Sequence, residues 1–266
     1  VETTIRYLTS KVKGKKIFSI SKSQKKLRKN LNSKDFVFIS QRKIITVKRF
    51  AKYILIKLDN DNYLIVHLGM SGRLKFHFNK NYKKEKHDHV ILQFDKFKIV
   101  FNDPRRFGMF FRLEDLKAVK FFFKNYGTDL LVNNVKINEI YSKFISKKVS
   151  LKQALLDQGL IVGIGNIYAN EALFHSRLNP QRLTNTLKLT EMTQLVNSCK
   201  FVLKLSLKNG GSSINDYKSP NGTLGSFQKF FKVYQKDYVI YKKKSYKLKK
   251  IIQNSRSTFF SPTLQN

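Results

Sequence analysis

Leu155-Leu-Asp-Gln-Gly-Leu-Ile-Val-Gly-Ile-Gly-Asn-Ile-Tyr-Ala-Asn-Glu-Ala-Leu-Phe174 is the stretch that decides how this chain is read. It reads as an apolar helix end, a turn built on Gly163 and Gly165, and Asn166 opening a second amphipathic helix. Glycines let a backbone pass close to a ligand, and the amides at a helix start point outward, unpaired and partly positive. A nucleic-acid phosphate suits such a turn; a plain helix-turn-helix packing element reads equally well from one Gly-x-Gly.

The charge balance narrows the choice. The 266 residues carry 53 Lys+Arg against 17 Asp+Glu, a formal net charge of +36. That implies a polyanionic partner bound with steep salt dependence. The wealth of Lys, Asn, Ile, Phe and Tyr is also what an AT-rich genome imposes on any protein, so charge supports nucleic-acid binding without identifying it. The hydrophobic fraction of 41% marks a globular chain. No apolar run approaches the length of a membrane span. Cys199 is the sole cysteine, which excludes an internal disulfide and any site with several thiolate ligands.

Hydrophobic periodicity gives the architecture, an α+β class. Ile5, Leu8 and Val12 stand at helical spacing. Two apolar runs, Tyr53 to Leu58 and Tyr63 to Leu68, flank Asp-Asn-Asp-Asn as a hairpin, and Val90 to Phe94 with Phe97 to Phe101 repeat the pattern. Strands so closely spaced predict an antiparallel sandwich or barrel over the first half. From about Thr128 the period turns helical, with a late helix over Leu189 to Lys208. A loop runs through Ser219-Pro-Asn-Gly-Thr-Leu-Gly225, and strand-like runs follow at Tyr238 to Tyr241 and Ser257 to Phe260. The expected domains are residues 1–125, 126–226 and 227–266.

Two loops in the sheet half draw attention. His67-Leu-Gly-Met70-Ser-Gly72 sets a long apolar side chain between glycines, and Asp103-Pro-Arg105-Arg106-Phe107-Gly108 sets cations beside an aromatic in a Pro-started turn. Taken singly, Met70 and Phe107 read as core and Arg105 as part of a solvated face. Together they offer two wedges and a guanidinium, the equipment for unstacking a duplex and filling the gap. Lys52 precedes the first apolar strand, where it could contact phosphate, donate a proton or simply face solvent. His87-Asp-His89 resembles a fragment of a metal site without a third ligand at supporting spacing, so a phosphate contact or a structural cap fits better. Glu171 is expected to hold local amides or hydroxyls on a half-buried face.

Val1-Glu-Thr-Thr, Ala51-Lys-Tyr, His67-Leu-Gly-Met-Ser-Gly, Lys86-His-Asp-His-Val, Asn102-Asp-Pro-Arg-Arg-Phe-Gly and the Leu155 to Phe174 block occur in that order. Together they resemble formamidopyrimidine-DNA glycosylase, of the helix–two-turn–helix superfamily that includes endonuclease VIII-like enzymes. The resemblance implies an enzyme that flips and excises oxidised purines such as 8-oxoguanine and formamidopyrimidines. An amine attacks C1′ to form a Schiff base, and the abasic strand is cut by β,δ-elimination. It implies Lys52 as proton donor for β-elimination, and Met70, Arg105 and Phe107 as the void-filling triad. His87, Arg105, Lys147 and Lys152 would contact DNA, with Asn166 as a phosphate ligand. Arg256 would be the finger arginine that assists δ-elimination, and the Ser219 to Gly225 loop would close over the flipped base. The implied partner is double-stranded damaged DNA, met by a monomer away from membranes, in a cytoplasmic compartment of bacterial or organellar type.

The chain departs from the family pattern twice. The family's mature chain opens Pro-Glu-Leu-Pro-Glu just ahead of the Val-Glu-Thr seen here. That proline supplies the attacking amine and the glutamate a general acid. Val1 is therefore expected to be an internal residue of the working polypeptide; a protein truly lacking those residues would be a relative that binds lesions or abasic sites and cannot cut. At the other end, the family's two Cys-x-x-Cys pairs fall on Tyr241 and Lys244 and on Ser261 and Leu264. None offers a thiolate, so a zincless finger hairpin held by packing is expected, with no metal or other cofactor.

Overall fold

Alternating apolar and polar residues build the N-terminal half. The computed structural model describes residues 1–78, 81–132, 134–211 and 225–266. Helix α1 (Glu2–Val12) turns Ile5, Leu8 and Val12 inward, as their spacing dictates. Nine strands follow: β1 (Lys16–Ile17), β2 (Ser19–Lys22), β3 (Arg42–Phe50), β4 (Tyr53–Leu58), β5 (Tyr63–His67), β6 (Arg73–His77), β7 (Asp88–Gln93), β8 (Lys98–Asn102) and β9 (Met109–Leu113). They form two antiparallel sheets, β1-β3-β4-β5-β9 and β2-β7-β8-β6. Ile54, Leu64 and Val66 of the first meet Val90, Leu92 and Phe101 of the second around one core, closed by Leu8 and Val12. This is the sandwich that the hairpin spacing predicted.

Strand β5 buries Leu64, Ile65 and Val66 in succession instead of alternating. The outer face of its sheet is also covered, because helix α2 (Leu116–Phe122) lies there. Phe122 packs on Phe111 with ring centroids 5.2 Å apart, and Phe123 packs edge-on to Tyr53 at 5.2 Å. Asp115 starts this helix by accepting the Ala118 N–H at 2.7 Å.

The second half holds β10 (Thr128–Asp129), α3 (Ile137–Ile145), α4 (Leu151–Leu156), β11 (Ile161–Val162), α5 (Asn166–His175) and α6 (Leu189–Lys208). Helix α6 has the bounds expected of it. Helix α5 does not have the expected amphipathic character: Ala169 through Phe174 are all buried. It is a central helix, with α4, α6 and the last strand packed around it. Between α4 and α5 the short strand β11 pairs in parallel with β10.

The C-terminal segment makes two hairpins where one was expected. Strands β12 (Tyr238–Tyr241) and β13 (Lys244–Lys247) form the first, β14 (Lys249–Gln253) and β15 (Arg256–Phe260) the second. Each turns in two residues that are both left-handed, Lys242 and Lys243 (φ 46° and 62°) and Asn254 and Ser255 (φ 48° and 59°). That handedness matches the twist of the strands. Val233, Val239, Leu248 and Phe259 pack with Phe174 of α5, so the hairpins are built onto the end of that helix.

The chain divides into two compact units, one containing Val1–Lys124 and the other containing Asn125–Asn209 and Phe227–Asn266. The helices and the C-terminal hairpins thus share a unit. Among the described residues no helix is long and apolar enough to cross a membrane.

Candidate nucleic-acid interface

Topology brings together the two loops that carry Met70 and Phe107. Leu68–Gly72 links β5 to β6, and Asp103–Gly108 links β8 to β9. His67 lies opposite Met109 in one sheet and Arg73 opposite Asn102 in the other, so the two links cross between sheets side by side. Their backbones touch: a Cβ on Gly69, where φ is +64°, would fall 2.7 Å from the Gly108 nitrogen. Met70 is 64% exposed and Phe107 48%. Neither is a core residue. The Arg105 guanidinium sits 5.0 Å from the centre of the Phe107 ring.

Lys52 occupies the two-residue turn between β3 and β4, after Ala51 with φ 52°. Arg49 steadies that turn by donating to the Ala51 carbonyl at 3.1 Å and to Glu2 at 2.9 Å. His67 packs on Tyr53 at 4.7 Å and accepts the Gly69 N–H at 3.1 Å. Burial, with the nearby cations Lys52 and Arg28, pushes its pKa down to about 4. A neutral imidazole therefore anchors the start of the Met70 loop, with the Lys52 charge close by.

The His87-Asp88-His89 segment has a structural role. The half-buried His87 accepts the Asp103 N–H on its carbonyl at 3.0 Å. His89 is buried, with Nε2 2.9 Å from the Asp103 carbonyl and Nδ1 3.0 Å from the Ser23 hydroxyl. A carbonyl only accepts, so Nε2 carries the proton. Asp88 is used by Tyr82, Asn102 and the Glu85 amide. Among the described residues no three His, Cys, Asp or Glu cluster as a metal site.

In the second unit, Gly163 takes φ +87° and its N–H donates to Gln158 Oε1 at 3.0 Å, while Gln158 Nε2 reaches the Ile164 carbonyl at 3.3 Å. Gln158, to which the sequence reading gave no role, thus clasps the turn that Asn166 follows. Asn166 donates to the Ser257 carbonyl at 3.0 Å. Lys152 donates to the same carbonyl at 2.8 Å and to the Thr258 hydroxyl at 2.6 Å, and that hydroxyl donates to Gln253 at 2.9 Å. Helices α4 and α5 therefore converge on the β14–β15 hairpin, with Arg256 exposed just past its turn. Lys152 was expected to contact DNA; the structure instead leaves it 1% exposed with its ammonium committed to the hairpin. Burial first, then the Arg256 charge, lowers its pKa to about 8. Lys147 is exposed and only loosely paired with Asp157, at 3.6 Å.

Glu171 holds backbone amides as expected, but from full burial. Its carboxylate accepts the N–H groups of Lys232, Val233 and Tyr234 at 2.8, 3.0 and 2.8 Å. This fixes the chain just before the first hairpin to α5. Of the expected closing loop, residues 219–224 lie outside the described residues.

The positions aligned with the family's zinc ligands do not suit a metal. Tyr241 and Lys244 face each other across the β12–β13 turn, and the Arg177 guanidinium covers the Tyr241 ring at 3.7 Å. Leu264 packs into the apolar cluster on α5. Ser261 donates its amide N–H to Gln265 at 2.9 Å, and Gln265 donates to the Leu178 carbonyl at 2.9 Å. A phenol, an ammonium, a hydroxyl and a hydrocarbon are not a zinc donor set. Cys199 lies buried in α6, where burial pushes its thiol up to about 12.

Known proteins resemble this chain along most of its length. Residues 1–110 match the formamidopyrimidine-DNA glycosylase N-terminal domain, and residues 126–218 match the formamidopyrimidine-DNA glycosylase H2TH domain. The formamidopyrimidine-DNA glycosylase of Wolbachia sp. subsp. Brugia malayi is 38% identical over 100% of this chain and 98% of its own length. That of Zymomonas mobilis subsp. mobilis is 40% identical over 89% of this chain and 87% of its own. Among solved structures, the complex between the Lactococcus lactis Fpg and an abasic site containing DNA superposes with a TM-score of 0.90. It shares 27% identity and covers 100% of this chain and 97% of that one. The MutM (Fpg) protein of Thermus thermophilus gives 0.88, at 29% identity over 100% and 97% of the two chains.

Proposed function

The chain belongs to the formamidopyrimidine-DNA glycosylase family, and on that premise we propose that its two exposed cross-sheet loops and its Arg256 hairpin handle damaged DNA. It is a base-excision repair DNA glycosylase and abasic-site lyase. It excises oxidised purines through a Schiff base and cuts the abasic strand by β,δ-elimination. The observation that carries the reading is the pairing of the exposed Met70 and Phe107 on touching loops, with Arg105 over the Phe107 ring. Holding two apolar side chains in water is unfavourable, and they gain burial when pushed into the gap left by a flipped nucleotide.

Each further role rests on placement. Lys52, on a turn steadied by Arg49, delivers the proton for β-elimination. Arg256, at a hairpin turn seated on α4 and α5, faces the phosphates that leave. His87, Arg105, Lys147 and Asn166 contact the duplex backbone. The finger works without zinc, held by Arg177 stacked on Tyr241 and by the Phe174–Phe259 cluster. The protein acts as a monomer in a cytoplasmic compartment that holds DNA; the bacterial origin of its relatives supports that placement.

Borohydride trapping on an 8-oxoguanine duplex tests the chemistry, with Pro-Glu-Leu-Pro-Glu placed ahead of Val1 to supply the amine. A covalent adduct and strand incision are expected. Binding without adduct in that form would reduce the protein to a lesion binder. Elemental analysis tests the finger: one mole of tightly bound zinc per chain would overturn the zincless reading.

A further inference from the structure

Beneath the two wedge loops lies a buried polar pair with no assigned part in the reaction. Asp103 is completely buried and Ser71 nearly so. The Ser71 hydroxyl donates to Asp103 Oδ1 at 2.5 Å and accepts the Arg105 N–H at 3.2 Å. Asp103 Oδ2 accepts the Gly108 N–H at 2.8 Å. One carboxylate therefore bonds to the Met70 loop through Ser71 and closes its own loop at Gly108, with Arg105 and Phe107 held between. His89 fixes the Asp103 carbonyl from below, and His87 fixes its amide. There is no slack in this arrangement, because a Cβ on Gly108 would fall 2.9 Å from Asp103 Oδ2 and 2.5 Å from the Phe101 ring.

We propose that Asp103, acting through Ser71, is a positioning residue that locks the two loops into one rigid wedge. Met70, Arg105 and Phe107 then enter the duplex together, and Asp103 itself touches no DNA. The inference rests on the wedge reading of these loops. Its physical basis is preorganisation: a buried carboxylate with both oxygens used by two loops removes their relative freedom before binding. The lesion complex then gains what would otherwise be lost in ordering them.

The test uses binding, which needs no catalytic amine. Ser71→Ala and Asp103→Asn are compared with the parent chain in three measurements. These are thermal melting, the ratio of Kd for an undamaged duplex to Kd for a tetrahydrofuran abasic-analogue duplex, and the fluorescence of 2-aminopurine opposite the lesion. Losing one charge-assisted bond is expected to cut the preference for the lesion about tenfold and to weaken the 2-aminopurine response in step. The deciding measurement repeats Ser71→Ala in a Met70→Ala/Arg105→Ala/Phe107→Ala background. A positioning role predicts no further loss there, because the side chains it positions are gone, while the melting shift stays the same. A lower melting temperature with unchanged lesion preference would overturn the proposal, as would an equal loss of preference in both backgrounds. If Met70→Ala/Arg105→Ala/Phe107→Ala alone leaves lesion preference intact, the wedge reading itself fails and takes this inference with it.

Discussion

Replacing Lys152 with Met separates a lysine that contacts phosphate from one that holds the Arg256 hairpin. A phosphate-contacting lysine releases about one condensed counterion, so its loss lowers the slope of log Kd against log salt by about 0.9. The Lys152 ammonium is 1% exposed and bonded to Ser257 and Thr258, which leaves it no reach to a phosphate. The slope is therefore expected to stay at the parent value between 50 and 200 mM KCl, roughly the range over which such contacts are read. Lys147→Met, at an exposed site, should lose the full increment.

The stability change follows from two opposing terms. Two hydrogen bonds from a charged donor contribute about 3–6 kcal/mol together. Against them stand the burial of the ammonium and the Arg256 charge, which together lower its pKa from 10.5 to about 8, a difference of about 3 kcal/mol between its charged and neutral forms. The Ser257 carbonyl keeps Asn166 as its donor, and the Thr258 hydroxyl keeps the bond it donates to Gln253. The net loss should be about 0–3 kcal/mol, with β,δ-elimination falling more than binding because the Arg256 hairpin loosens. A slope that drops for Lys152→Met as it does for Lys147→Met would refute the reasoning.

Three further outcomes are expected. Above pH 6.5 His67 is neutral in both folded and unfolded chains; between 6.5 and about 4 only the unfolded chain takes up the proton, so stability falls through that window and levels off below it. His67→Gln should flatten that part of the melting-temperature profile by an amount on the order of 3 kcal/mol. Lys243→Gly, which relieves a left-handed lysine at φ 62°, should stabilise the first hairpin by about 1 kcal/mol, read as a raised melting temperature. Gly163→Ala meets no atom within 4 Å yet must hold φ +87°, so it should cost about 1 kcal/mol from strain alone and weaken binding to damaged and undamaged duplex alike.

Much of this was legible in the sequence because the signals were local. Two apolar runs either side of Asp59 to Asn62 gave the β4–β5 hairpin, and the 3.6-residue period gave α6 its bounds. The division of the C-terminal segment into two hairpins was missed for a local reason too: the first turns on Lys242-Lys243, and lysines carry no turn signature, so β13 and β14 stayed hidden between the two strand-like runs. Strands β10 and β11 have two residues each, too few to show a period. Other features are invisible to any window. Ser71 and Asp103 stand 32 positions apart and meet only because β5 pairs with β9 and β6 with β8. Lys152 looked like one more solvated lysine because nothing near it in sequence announces that Ser257 and Thr258 will cover it. The six buried residues of α5 include Asn170 and Glu171, whose partners Phe259 and Lys232 to Tyr234 lie far along the chain.

The net charge of +36 tells little about how the cations are aimed. Charge draws a polyanion to the protein, but long lysine and arginine stems on loops would meet it in many geometries. Here the turns proposed to carry the reacting and wedging groups are each fixed from behind by a polar side chain, buried at three of them and half-buried at Gln158. Asp103 sits behind Arg105 and Phe107, Lys152 behind Arg256, Gln158 behind the turn before Asn166, and Glu171 behind the approach to the first hairpin. Two of these four are anions in a chain short of acidic residues, and one is a lysine whose charge is itself disfavoured by burial and by Arg256. Burying such groups is costly unless their partners are in place, so these bonds form only in the native arrangement of the turns. Aim is therefore set by a few buried hydrogen bonds and attraction by the surface excess, and substitutions should separate the two: surface lysines change salt dependence, and the buried anchors change discrimination.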